Sequence, residues 1–144
     1  MSFVGRSLVS IDQKRRMAIP ARYREELAQS CANKLVCTVG HRPEFLRLFP
    51  RPLWNELEAR IETDLLWAAE DDDRARYMTS SAEDVFVDGN HRMLLPQHLV
   101  ERASLEKKVM LVGRSNHFEI WSEENWQLED EANRRKFSAG ASRD

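Results

Sequence analysis

Two stretches of this chain are copies of one pattern. Asp12-Gln13-Lys14-Arg15-Arg16-Met17-Ala18-Ile19-Pro20 aligns with Asp88-Gly89-Asn90-His91-Arg92-Met93-Leu94-Leu95-Pro96 as D-x-x-x-R-M-x-[IL]-P, at an offset of 76. The likeness continues beyond the motif. Leu35 to Gly40 matches Val109 to Gly113 at an offset of 73, and Leu46 to Phe49 matches Phe118 to Trp121 at 72. Trp54 then matches Trp126, again at 72. A shrinking offset with element order kept is what small loop deletions between two copies of one unit produce. The boundaries expected are a first unit over 1–70, a connection over 71–82 and a second unit over 83–144.

Each copy reads alike. A strand (Leu8 to Ile11, or Val85 to Val87) leads to a tight turn at the Asp, and a second strand (Met17 to Ile19, or Met93 to Leu95) follows. Pro20 or Pro96 then opens a helix, because proline's missing N–H has no partner in the first helical turn anyway. Tyr23 and Leu27, or Leu99 and Ala103, lie four apart on its inner face. Trp54, Leu57, Ile61, Leu65 and Ala68 mark one face of a long helix, and Glu56, Glu58, Arg60, Glu62 and Asp64 its solvated side. Asp71-Asp72-Asp73 reads as the start of a linker. A unit of about seventy residues with such short strands hardly closes a core alone. The expectation is therefore an α+β fold in which two hairpin units pair into one small pseudosymmetric β-barrel with flanking helices.

Charge is where composition enters. The formal net charge is −2, which taken as an average argues against nucleic acid. The distribution says otherwise. Residues 1–24 carry Arg6, Lys14, Arg15, Arg16, Arg22 and Arg24 against Asp12 alone, whereas residues 51–84 hold ten acids against four bases. A basic front and an acidic middle imply one face for an anion and another for solvent. No apolar run approaches the roughly 18 residues of a membrane span. Cys31 and Cys37 make no disulfide framework and no zinc half-site, and with no visible export signal they read as core thiols in a reducing cytosol.

The turn itself carries the candidate chemistry. An Asp at a strand end can accept bonds from backbone N–H groups two or more residues on, or hold the Arg four residues later by a charge-assisted bond. The Arg so mounted is a planar fork suited to phosphate or to the acceptor edge of guanine. Lys14 and Arg15 tip the first copy toward anion contact, while the second copy adds only His91 to Arg92, and a purely internal Asp–Arg pair is the other reading. No Gly-rich phosphate loop, G-x-S-x-G, H-E-x-x-H or C-x-x-C is present, and His41, His91, His98 and His117 have no metal-ligand spacing. Catalysis, a metal and a cofactor are not expected.

The doubled D-x-x-x-R motif resembles the MraZ family of bacterial transcriptional regulators. So do Pro20-Ala21-Arg22-Tyr23-Arg24, Leu48-Phe49-Pro50 with Trp54, and Leu111-Val112-Gly113 followed by Asn116-His117-Phe118-Glu119-Ile120-Trp121. The resemblance implies tandem AbrB-like swapped-hairpin units that bind double-stranded DNA. It also implies self-assembly into a ring, on the order of eight or more protomers, on repeated elements upstream of the division and cell-wall gene cluster, usually as a repressor. It places the protein in the cytoplasm, on the nucleoid, with no membrane or small-molecule partner. Carried over by residue, Arg16 and Arg92 match the motif arginines, Lys14 the usual basic position, and Asp12 and Asp88 the turn acids. The family usually has Gly before each motif Arg, where this chain has Arg15 and His91, and it often has a basic residue at Val4. A side chain in the left-handed conformation glycine would allow costs on the order of 1 kcal/mol.

The expected DNA contacts are thus Arg16, Lys14, Arg15, Arg92 and His91, with Asp12 and Asp88 organising the turns. The altered glycine positions motivate an alternative: an assembly or adaptor protein of the same fold that uses its acidic helix 54–70 and its tail to hold a protein partner.

Overall fold

A computed structural model describes residues 2–63 and 69–138 of the chain. The first copy runs through β1 (Arg6–Ser10), β2 (Arg16–Ala18), α1 (Ala21–Cys31), β3 (Lys34–Val39), β4 (Phe45–Pro50) and α2 (Arg51–Thr63). After α3 (Ala69–Ser81), the second copy repeats the order: β5 (Glu83–Phe86), β6 (Arg92–Leu94), α4 (Gln97–Arg102), β7 (Lys108–Gly113), β8 (Phe118–Ser122) and α5 (Glu123–Lys136). The α+β class and the order of elements follow the repeat.

Six strands form one antiparallel sheet in the order β1-β7-β8-β4-β3-β5. Under the equivalences β1/β5, β3/β7 and β4/β8 this order reads the same from either end, so a pseudo-twofold passes between β4 and β8. Strands of one copy pair with strands of the other at both outer positions (Val9 opposite Val109, Leu35 opposite Val85) and at the centre (Leu46 opposite Ile120). The expected closed barrel is not formed. β2 and β6 make a separate two-stranded ribbon, Met17 opposite Met93, joined to the sheet by the single bridges Ile11 to Met17 and Val87 to Met93. The cause is local. Each tight turn spends its first donors on its own Asp, and the next ones, Ile19 N–H and Leu95 N–H, bond the opposite copy's tip carbonyls, of His91 and Arg15, at 2.9 Å each.

Alternation along the strands builds two layers. Val9, Ile11, Met17, Leu35, Cys37, Leu46, Leu48 and their counterparts Val85, Val87, Met93, Val109, Leu111, Phe118 and Ile120 fill the main core with Tyr23, Leu27 and Leu99. Cys37 is fully buried, and burial pushes its thiol up to about 12, so it packs as an inert apolar side chain. The other face of β3 and β4 carries Val36 and Phe49, covered by Trp54 and, less completely, by Leu53, Leu57 and Met78. At the end of β7 only glycine fits. A Cβ on Gly113 would lie 2.6 Å from the Phe3 carbonyl oxygen, because the chain start bridges Phe3 to Ser115 there.

One expectation changes. The segment 71–82, read as a connection, is mostly helical, as α3. Its acids are not merely solvated. Glu70, Asp71 and Asp72 sit in the first turn, where the helix dipole favours them. Arg74 pairs with Glu70 and Arg76 with Asp72 at i,i+4 spacing. α3 docks on the sheet where Thr38 Oγ1 donates to the Met78 carbonyl at 2.6 Å. The long apolar face starting at Trp54 holds through Ile61 within α2; Leu65, Ala68 and Asp64 lie outside the described residues. No helix among the described residues is long and apolar enough to cross a membrane.

Candidate nucleic-acid interface

The two motif turns have the same backbone. Asp12 Oδ1 accepts from Lys14 N–H and Arg16 N–H at 2.9 Å each, and Asp88 Oδ1 accepts from Asn90 N–H at 2.8 Å and Arg92 N–H at 3.0 Å. The main chain closes each loop: Arg15 N–H donates to Asp12 O and His91 N–H to Asp88 O. These backbone donors, above all those of Arg16 and Arg92, hold both carboxyls below the usual aspartate range. Of the alternatives open at the turn, the first copy uses both. Arg16 Nε also donates to Asp12 Oδ2 at 2.8 Å.

Arg15 and His91 stand at φ +65° and +59°, the left-handed conformation that suits glycine. The turn shape is kept and the strain tolerated. His91→Gly is expected to change stability by less than about 0.5 kcal/mol, because relief of the left-handed cost is offset by about 0.4–1 kcal/mol of added unfolded-chain entropy. His91→Val at the same position should cost about 1–2 kcal/mol instead. Denaturant midpoints of the two variants separate these outcomes.

The antiparallel ribbon sets each tip against the far end of the other copy's strand. Besides the crossed main-chain bonds, Arg15 Nε donates to the Leu95 carbonyl at 3.2 Å. Lys14 and His91 are exposed, and Arg15, Arg16 and Arg92 are half-buried. All five side chains expected at the site, with Asp12 and Asp88, therefore belong to one ribbon and the two turns that flank it. The rest of the basic front does not. Arg22 donates to the Arg6 carbonyl and Ser7 Oγ, Arg24 to the Ile19 carbonyl, and Arg6 pairs with Asp130 of α5 at 2.7 Å. Those cations brace β1 and α1.

A second polar cluster was not singled out by motif spacing. Glu119, 5% exposed, projects from β8 onto the face opposite the main core. Its Oε2 meets Arg114 Nη1 at 2.5 Å and Arg47 Nη1 at 3.8 Å, and Trp121 Nε1 donates to Oε1 at 2.9 Å. Arg47 also donates to His117 Nε2 at 3.0 Å, and His117 stacks on Phe49. The signal available was a lone acid inside the apolar run Phe118-Glu119-Ile120-Trp121. Burial first, then the Arg47 and Arg114 charges, push the His117 imidazole down to about 4. The unfolded chain binds this proton near pH 6.5 and the folded chain only near 4, so stability rises with pH between them. Acidification through that window should remove about 1–2 kcal/mol, the ring being half-exposed and so partly screened. Urea midpoints against pH check it, and His117→Gln should flatten the slope.

Comparison with known proteins agrees with the repeat. The family model described as "MraZ protein, putative antitoxin-like" matches residues 2–75 and 78–144. A protein of Pseudomonas aeruginosa (strain LESB58) named "Transcriptional regulator MraZ" is 38% identical over 130 residues, 90% of this chain and 86% of that protein. Proteins of the same name from Idiomarina loihiensis and Colwellia psychrerythraea are each 39% identical, over 86% and 87% of this chain and 82% of their own lengths. With both turns in place and both halves matched, the chain belongs to the MraZ family.

Proposed function

We propose that the chain is a transcription regulator that binds double-stranded DNA through the paired hairpin tips. The observation that carries this reading is the concentration of Lys14, Arg15, Arg16 and Arg92 on two interlocked turns whose backbones are fixed by Asp12 and Asp88. The forks of Arg16 and Arg92 would read base edges or phosphate, and Lys14, Arg15 and His91 would add contacts beside them. The family name shared with its relatives supports transcription as the process. The crossed pairing of β1 with β7, β3 with β5 and β2 with β6 supports the reading as two swapped-hairpin units.

Each protomer offers few free cations, so a single copy binds weakly. Assembly into a ring, on the order of eight protomers, would make binding to repeated elements multivalent. Repression of the division and cell-wall cluster, and residence on the nucleoid in the cytoplasm, complete the proposal. That Arg15 and His91 keep the left-handed turn favours the DNA reading over the adaptor alternative. The test is titration of the region upstream of the chain's own gene at several salt concentrations, with the mass of the assembly measured in the same samples. Log affinity should fall linearly with log salt, by about 0.9 per phosphate contact. Affinity that ignores salt would sink the reading.

A further inference from the structure

The pseudo-twofold that relates the two turns is broken at the side chains that matter. Arg16 Nε donates to its own turn acid, Asp12 Oδ2, at 2.8 Å. Arg92, the counterpart of Arg16, makes no close ion pair with its own acid, whose field it feels only at longer range. Its Nη1 reaches across the β2–β6 ribbon to the same Asp12 Oδ2, at 3.6 Å. Asp88 bonds the backbone N–H groups of Asn90 and Arg92, and no side-chain ion pair of Asp88 is found among the described residues. Symmetry would have brought Arg16 as close to Asp88 as Arg92 is to Asp12, but Arg16 reaches Asp88 only as a charge at longer range.

The surroundings differ in the same sense. The first tip places Lys14 and Arg15 beside Asp12, whereas the second places neutral Asn90, and His91, beside Asp88. Arg15 ties the first tip to the far end of β6 through the Leu95 carbonyl, whereas across the ribbon His91 contributes only its own carbonyl, to Ile19 N–H. Asp12, Arg16 and Arg92 have equal side-chain exposure, 34%, 33% and 33%, so all three are half-shielded yet reachable. Arg92 Nε is shielded from solvent with no hydrogen-bond partner. Arg92 is therefore aimed by one contact and not saturated by it, which leaves its other nitrogens for a ligand.

We propose that Asp12 is the positioning residue for both motif arginines. One carboxylate in the first copy sets the direction of the Arg92 fork in the second, so that the two hairpins meet an acceptor edge on a duplex as one unit. Asp88 bonds the backbone of its own turn and acts on Arg92 and Arg16 only as a charge at longer range. The inference rests on the DNA-binding reading for its use, but the clamp itself is a property of the free chain. It also divides the roles of the two acids, which the repeat alone would make equal. An arginine held in one direction loses less freedom on contact than a free one, and for a bidentate fork direction decides whether both bonds form.

Two mirrored double-mutant cycles on the duplex from the upstream region test it. Asp12→Asn combined with Arg92→Ala should be about tenfold less damaging than the product of the single losses, because Asp12 acts through Arg92. Asp88→Asn combined with Arg16→Ala should simply multiply. Equal coupling in both cycles, or none in either, overturns the proposal. Loss of salt-dependent binding by the unaltered chain would overturn the DNA reading instead. The clamp is then judged in the free protein, as it also is if Asp12→Asn fails to fold. There, the side-chain nitrogen resonances of Arg92 should shift with protonation of Asp12, as those of Arg16 do. Arg92 side-chain signals that follow Asp88, or neither acid, overturn it.

Discussion

Replacing Arg16 and Arg92 together by alanine is expected to abolish most specific DNA affinity while leaving the fold intact. Each arginine that reads a base bidentately contributes about 1–3 kcal/mol, so the pair stands for roughly 2–6 kcal/mol, a loss between about thirtyfold and twenty-thousandfold. The opposing cost is small. Asp12 holds Arg16 through Nε and Arg92 through one Nη, so each fork keeps nitrogens for DNA, and any weakening of a half-exposed ion pair costs at most about 1 kcal/mol, less than one good base contact. Stability should move little, because neither side chain is in the core. Met17 and Met93, the next residues in each copy, are the ones fully buried there. Arg22→Ala is the control, since that guanidinium is occupied by Ser7 Oγ and the Arg6 carbonyl on β1. It should lower thermal stability slightly and affinity hardly at all. Anisotropy titrations beside melting curves separate the two effects. Affinity unchanged in the double variant would remove both arginines from the interface.

Glu119→Ala is expected to be the most destabilising single change outside the apolar core. The carboxylate is buried against Arg114, Arg47 and Trp121 Nε1. Removing it leaves Arg47, with a side chain only 21% exposed, facing His117 without its counter-charge. Breaking one side of such a pair costs about 3–5 kcal/mol, mostly the penalty of the charge left behind. For a chain of this size that is a fall in Tm of roughly 10 °C or more. Arg114→Ala should cost less, because Arg114 is half exposed and water can replace it at Glu119. A Glu119→Ala protein that melts within about 2 °C of the parent would show that the cluster is solvated rather than buried.

Legibility varied with the range of the interactions. The hairpin strands, the Pro-initiated helices and the facing apolar positions follow local rules of period and capping, and they stand where the repeat puts them. The acidic segment at Asp71 was legible as charge but not as a helix. Its four-residue spacing to Arg74 and Arg76 was there to be read, yet net charge per segment hides pairing. The turn acids were legible as a choice between capping and ion pairing. That choice is settled differently in the two copies, because Arg92 finds Asp12 across the ribbon. The basic front was legible as a sum, and only the contacts of Arg6, Arg22 and Arg24 divide it into bracing cations and free ones.

By itself the amino-acid sequence determined a two-copy chain, the kind of element at each position, a motif Asp and Arg at each turn, and the residues that bury. All of these depend on neighbours within a few positions, where spacing and backbone preference suffice. The tertiary structure decided the rest: that β1 joins β7 and β5 joins β3, that the sheet stays open beside a separate ribbon, that both tips flank that ribbon, and that one carboxylate serves two arginines 76 positions apart. Those outcomes rest on which donors remain free after each turn has closed on itself. A local pattern carries no information about a partner that only folding brings within 4 Å.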